Sequence, residues 1–291
     1  MDLRTLERHR GSVSTRSGEL SYLDVGTGPV ALFVHGIGTN AYLWRHVLGA
    51  CGAQRRCLAL DLPLHGRSPA AAQQDFTLGG LADVLEDFRA ALGLDEFDLV
   101  ANDTGGAVAQ VFAVRHAERL RTFTLTNCDT HTNLPPEAFR PIVELAERGL
   151  LARVSTRLAA DLGQARAGVL GLGFERPDLV PDEVLRAYVE PVFGTATAAR
   201  QFERLVLSLD AADLVAIEPR LKELTVPTLV VWGTDDPNFA VSWAYWLRDT
   251  IPGVLEVVEI DGAKLFFPDE RPEDLVPHLL RHWARVTGKV G

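Results

Sequence analysis

The sequence is poor in cysteine, in long apolar runs and in clustered positive charge, and each shortage removes a class of protein. Three cysteines occur, Cys51, Cys57 and Cys128, at spacings that suit neither a disulfide framework nor a zinc site. Cys51 and Cys57 are close enough in sequence to pair, but the odd count favours small, buried, reduced thiols. The opening residues, Met1-Asp2-Leu3-Arg4, are charged and lead into no apolar h-region, so no secretory leader is expected and the expected location is the cytoplasm. No segment approaches the ~20 uninterrupted apolar residues that cross a bilayer, and no membrane partner is expected. The formal charge is −10 and the arginines are scattered among acids, which sets nucleic acid aside as a partner. What remains is an ordinary globular chain, and its 291 residues suffice for one large α/β domain or such a domain with an inserted lid.

Short apolar runs bounded by glycine-bearing turns predict strands at 13–15, 20–25 and 30–34. Thereafter helical and strand patterns alternate: helix at 42–48, strand at 57–60, helix at 78–92, strand at 97–101, helix at 104–116 and strand at 120–126. That rhythm predicts a mostly parallel sheet with helices on both faces. It breaks after Asn127. From 130 to 217 the spacing is helical throughout, as in Phe139, Ile142, Val143, Leu145 and Ala146. Strands return at 228–232 and 255–260, and a last amphipathic helix opens near Pro272, a residue suited to a first turn. The expected organisation is an eight-stranded core domain from residues 1–129 and 218–291, with residues 130–217 forming a helical cap. A cap inserted there lies over the carboxyl edge of the sheet, where open α/β sheets bind ligands.

Between strand 97–101 and helix 104–116 runs Ala101-Asn102-Asp103-Thr104-Gly105-Gly106. A strand-to-helix turn that presents a nucleophile is pinched, and needs small residues two before and two after it; Ala101 and Gly105 stand there around Asp103. The helix N-terminus would favour an ionised carboxylate at that point. Asp is also a common helix cap, but the hydrophobic strand before it and the helix after it favour the nucleophile position.

Three further motifs carry a resemblance. His35-Gly36-Ile37-Gly38-Thr39-Asn40-Ala41-Tyr42-Leu43-Trp44-Arg45 looks like the oxyanion-hole loop and following helix of the haloalkane dehalogenase and epoxide hydrolase branch of the α/β-hydrolase superfamily. Asp61-Leu62-Pro63-Leu64-His65-Gly66-Arg67-Ser68 resembles the loop after the next strand, and Trp232-Gly233-Thr234-Asp235-Asp236-Pro237 the acid-bearing turn. The likeness implies an α/β-hydrolase fold, an oxyanion hole from the backbone N–H groups of Ile37 and Thr104, and Asp236 as triad acid. It implies no metal and no organic cofactor. His35 and His65 are expected to organise backbone. In that branch Asp attacks carbon to give an alkyl-enzyme ester, and a His held by the acid activates the water that hydrolyses it.

That histidine is absent. The branch keeps it in a Gly-x-x-His-Phe setting before Glu-Arg-Pro, where this chain reads Gly262-Ala263-Lys264-Leu265-Phe266-Phe267-Pro268-Asp269-Glu270-Arg271-Pro272. Leu265 takes its place. Leucine moves no proton, and a solvated lysine is protonated near neutrality. The candidates for the missing function are His131, at the root of the cap, and a desolvated Lys264. The third possibility is a reaction that needs no water. By the same resemblance a halide would sit against Ile37 and Thr104, where no halide-binding side chain stands, and Tyr188 is the one tyrosine between the flanking strands that could protonate an epoxide. Tyr188 also fits a core position at helical spacing with Val184 and Leu185. The expected activity is epoxide or haloalkane hydrolysis on a small apolar organic substrate. The alternatives are a lyase, cyclase or isomerase of natural-product metabolism, or a ligand-binding pseudoenzyme. Oligomeric state is not encoded in any motif.

Overall fold

The computed structural model describes residues 1–287. Eight strands form one sheet: β1 (Arg10–Thr15), β2 (Gly18–Val25), β3 (Val30–Val34), β4 (Arg56–Leu60), β5 (Phe97–Asp103), β6 (Leu120–Cys128), β7 (Thr228–Gly233) and β8 (Val254–Ile260). Their order is β1-β2-β4-β3-β5-β6-β7-β8. β2 runs antiparallel to both β1 and β4, and every pairing from β4 through β8 is parallel. The central strands read as continuous apolar runs because parallel strands under helices are buried on both faces; β5 and β7 are buried along their whole length. The outer strand β1 alternates between half-buried and exposed residues.

On one face the helices Leu78–Ala91, Thr104–Arg115 and Ala211–Leu221 pack together, and on the other Arg45–Cys51 packs with Pro272–Thr287. Thr104–Arg115 is buried from Thr104 through Val114, as expected of a helix apolar on every side. Between β6 and β7 every regular element among the described residues is a helix. Those between Arg140 and Ser208 stack on one another, and Phe174 packs on Phe266 at 4.7 Å between ring centroids. Two further ties join this segment to the loop after β8: the Phe266 N–H donates to the Gly173 carbonyl at 2.8 Å, and the Glu270 carboxylate accepts from the Glu175 and Arg176 amides at 2.7 and 3.0 Å. The three cysteines are buried and unpaired. Among the described residues no helix is long and apolar enough to cross a membrane.

Close packing at the head of helix Thr104–Arg115 depends on glycine. A Cβ on Gly105 would lie 2.2 Å from the His35 carbonyl oxygen, and one on Gly106 would lie 2.4 Å from Cys128 Cβ. Both atoms belong to the sheet or its adjoining loop, so the helix would have to move. Gly105→Ala is therefore expected to destabilise the protein by about 3 kcal/mol, the upper range of overpacking, as read by urea unfolding. A loss within the scatter of surface substitutions, about 0.5 kcal/mol, would show that the crowding is relieved cheaply.

Candidate active site

Asp103 closes β5 at φ 57° and ψ −140°, a left-handed conformation that a non-glycine residue adopts only where its surroundings enforce it. The enforcement is visible. Gly36 approaches so closely that a Cβ there would lie 2.1 Å from Asp103 Oδ2, and Gly105 lies against the His35 carbonyl. The carboxyl is thereby lifted above the sheet edge, with Thr104 opening the helix behind it. The loop opposite is held by the two histidines. The Leu62 N–H donates to His35 Nε2 at 3.0 Å and the Gly38 N–H to His65 Nε2 at 3.2 Å. Their Nδ1 atoms lie 2.6 Å from the Gly36 carbonyl and 3.1 Å from the Pro63 carbonyl. Each ring is thus neutral, accepting through Nε2 and donating through Nδ1; burial pushes their pKa values down to about 4 and about 3.

Above the sheet edge lies a cavity of about 280 Å³. Asp103, Thr104 and Ile37 line it beside Asp129, Leu265 and Phe266, while Phe139, Val189, Phe193 and Phe202 from the inserted helices form apolar walls. Its other polar linings are Ser155, Gln164 and Asn238, and among the described residues no Lys, Arg or His reaches it.

Asp236 does not line the cavity. Its two oxygens accept from Asn127 Nδ2 at 2.7 Å and from the Asn238 N–H at 2.8 Å, and burial raises its pKa to about 6. Asn127 in turn accepts from the Gly233 amide at 2.7 Å, which ties the end of β6 to the end of β7. Leu265 is buried, and its carbonyl accepts from Asn102 Nδ2 at 3.1 Å. The loop that carries the branch's histidine is therefore anchored to the elbow through backbone, while the side chain it offers is aliphatic.

The other sequence candidates lie elsewhere. His131 takes φ 49°, sends Nε2 to within 3.1 Å of Glu218 Oε2 and packs its ring on Trp246 at 4.8 Å, outside the cavity. Lys264 is half-buried and does not line the cavity. Tyr188 is buried away from it, its phenol pKa raised by burial and by the Asp269 charge. Of the three, His131 turns to another partner, Glu218, while none of them lines the cavity.

One residue that the sequence did not single out enters the site. Asp129 follows β6 directly and is 1% exposed. Its Oδ2 accepts from Thr104 Oγ1 at 2.7 Å, its backbone carbonyl accepts from Gln110 Nε2 at 2.9 Å, and its Oδ1 is buried with no hydrogen-bond partner among the described residues. Its position just past a strand at the carboxyl edge was the available signal.

The charge balance is unusual. Elsewhere buried carboxylates meet cations: Asp98 meets Arg55 and Arg121, Asp61 meets Arg10, and Asp269 meets Arg45. Among the described residues, Asp103, Asp129 and Asp236 have no such partner. Burial, then the Asp129 and Asp236 charges, push Asp103 well above the usual carboxylate range, opposed by the Thr104 amide. Burial lifts Asp129 to about 7, opposed by the Thr104 hydroxyl and aided by Asp236. Near neutrality the cavity thus holds fewer negative charges than carboxyls, with a proton shared between Asp103 and Asp129.

This has a consequence for stability. A carboxyl at about 7 when folded binds its proton more tightly than in the unfolded chain, where its pKa is ~3.9. Its contribution is present at low pH and lost as pH rises through about 7. Asp129→Asn, which keeps an acceptor for Thr104, removes that loss. The melting temperature of the variant relative to wild type is expected to be higher at pH 8 than at pH 5, on the order of 2 kcal/mol or roughly 5 °C. Parallel melting curves for the two proteins would argue against a strongly raised Asp129.

The alpha/beta hydrolase fold family matches residues 29–270. Among curated proteins, the chain is similar to haloalkane dehalogenase 2 of Mycobacterium tuberculosis, 26% identical over 282 residues and 92% of each chain. It is likewise similar to the cis-3-alkyl-4-alkyloxetan-2-one decarboxylase of Xanthomonas campestris, 26% identical over 275 residues, 89% of this chain and 90% of that one. Mouse epoxide hydrolase 3 is 23% identical over 284 residues, 91% of this chain and 72% of its own. Among solved structures, haloalkane dehalogenase DbeA from Bradyrhizobium elkani superposes with a TM-score of 0.82 at 19% identity, over 96% of this chain and 99% of that one, a likeness of fold. The sheet order, the elbow at Asp103 and the span of the family match agree, and the chain belongs to the α/β-hydrolase fold family.

Proposed function

We propose that the protein is an enzyme that opens a small apolar epoxide by attack of the Asp103 carboxylate on carbon, forming an alkyl-enzyme ester that water then hydrolyses, under a cap made by residues 130–217. The observation that carries this reading is the strained elbow: Asp103 is held at φ 57° on the floor of an apolar cavity, at the head of a 12-residue helix. Strain of this kind persists where surrounding structure overdetermines it, and it clusters at reacting groups. The backbone N–H groups of Ile37 and Thr104 would stabilise the oxyanion formed when water attacks the ester.

An epoxide suits the cavity better than a haloalkane. A departing halide is an anion, and it would enter a space that holds two carboxyls and, among the described residues, no cation. Thr104, one of the positions from which the branch contacts halide, has its hydroxyl committed to Asp129. An epoxide oxygen leaves as an alkoxide that must be protonated, and carboxyls with raised pKa values are proton donors. Similarity to mouse epoxide hydrolase 3 adds support, as does similarity to haloalkane dehalogenase 2 for attack on carbon.

A second reading, reaction without water, is favoured by Leu265 in the cavity wall where the branch carries its imidazole. A relative named as an oxetanone decarboxylase lends it weight. Labelled water separates the two, because hydrolysis at the ester carbonyl places its oxygen first in the Asp103 carboxylate and, over later turnovers, in product, whereas a reaction without water labels neither. A pseudoenzyme would bind ligand unchanged, and Asp103→Asn would leave that binding intact.

The direct test is a panel of terminal epoxides and bromoalkanes, with diol or alcohol measured and the protein weighed intact. Diol formation is expected, lowered by roughly 10³-fold or more in Asp103→Ala. Any trapped adduct is expected to map to Asp103. Neither product nor adduct across the panel would sink the reading.

A further inference from the structure

Of the three carboxyls at the site, Asp103 and Asp129 line the cavity and Asp236 does not. Both Asp236 oxygens are engaged, by Asn127 and by the Asn238 amide. Asp129 is differently placed. One oxygen is fixed by Thr104 Oγ1 at 2.7 Å, and the other is buried with no hydrogen-bond partner among the described residues. Thr104 is the residue next to Asp103, so a single side chain fixes Asp129 relative to the carboxyl beside it. The Gln110 bond to the Asp129 carbonyl holds the backbone as well. An unpartnered oxygen in a rigid carboxyl costs free energy unless a ligand or water occupies it.

We propose that Asp129 is the group that handles the proton in place of the missing histidine, in both halves of the reaction. This rests on the reading of Asp103 as nucleophile. In the first half Asp103, ionised, forms a bond to an epoxide carbon as the carbon–oxygen bond breaks. Asp129, protonated, gives its proton to the departing oxygen and becomes a carboxylate. In the second half that carboxylate takes a proton from water as the water oxygen adds to the ester carbonyl carbon. The tetrahedral intermediate collapses with release of the diol, the alcohol oxygen taking up the water's second proton. Asp103 returns as carboxylate and Asp129 as acid, so that one epoxide and one water give one diol. Alternation between acid and base by one carboxyl beside a nucleophilic carboxyl is established chemistry in retaining glycosidases.

The pair shares one proton. Burial lifts Asp129 to about 7, opposed by the Thr104 hydroxyl and aided by the Asp236 charge, and burial together with the Asp129 and Asp236 charges raises Asp103. The helix N-terminus behind Asp103 favours the microstate with the shared proton on Asp129.

The test compares wild type, Asp103→Asn, Asp129→Asn and Thr104→Val on 1,2-epoxyhexane and 1-bromohexane. Bromide leaves without a proton, so the two probes separate alkylation from acid catalysis. Asp129→Asn is expected to lose at least 10²-fold in epoxide turnover. With 1-bromohexane it is expected to accumulate a hexyl ester on Asp103, visible as a stable mass increment. Epoxide turnover by Asp129→Asn within about threefold of wild type would overturn the assignment while leaving the Asp103 reading intact. Turnover retained by Asp103→Asn would overturn both. Thr104→Val keeps both carboxyls and answers whether a loss in Asp129→Asn is merely structural. In wild type kcat/KM is expected to fall as pH rises through about 7, the value at which Asp129 ionises. Loss of the Thr104 hydrogen bond, which stabilises the carboxylate, should move that limb to higher pH. A limb that stays in place would count against Asp129 as the titrating acid.

Discussion

The site is organised around a backbone that would relax if it could. Asp103 sits at φ 57° because β5 must turn abruptly into a helix whose first residues are packed against the sheet. Gly36, Gly105 and Gly106 are there because any side chain would overlap Asp103, His35 or Cys128. From that turn the rest follows. The loop bearing Ile37 approaches the carboxyl only because Gly36 permits it, and it is held there by neutral His35 and His65 bonding the chain at Leu62, Pro63 and Gly38. Asn102, one residue before the elbow, reaches across to the Leu265 carbonyl and fixes the loop after β8.

A second contrast is electrostatic. Burying a carboxylate without a compensating cation is costly, and at its other buried carboxylates this protein meets the requirement with arginine. Asp98 is enclosed by Arg55 and Arg121 and also accepts from Thr122 Oγ1 at 2.9 Å. Among the described residues the requirement is left unmet for Asp103 and Asp129 at the cavity and for Asp236 within electrostatic reach of them. Raised pKa values and a shared proton are the physical response to that arrangement, and such departures concentrate where chemistry occurs.

Much of the fold was legible because parallel strands under helices are apolar along their length. The runs ending at Val34, Leu60 and Ala101 announce themselves, and the switch to helical spacing after Asn127 marks the end of the alternating pattern. The elbow was legible for a local reason: Ala101 and Gly105 bracket Asp103 at the spacing a pinched turn requires. What could not be read was the direction of side chains after β6. His131 shares a segment with Asp129, but its positive φ turns the ring toward Glu218 and Trp246. Asp129 is identified by a bond to Thr104, 25 residues earlier in the chain, and no local pattern encodes it. The Glu270 bonds to the amides of Glu175 and Arg176 were hidden in the same way.

Thr104 carries a consequence for how such a site diversifies. Its amide opposes the rise in the Asp103 pKa, and its hydroxyl holds Asp129. A larger side chain at 104 would evict the Asp129 carboxyl from its place, and an apolar one would release it. Because the two side chains share a hydrogen bond, the effects of substitutions at 104 and 129 are expected not to add.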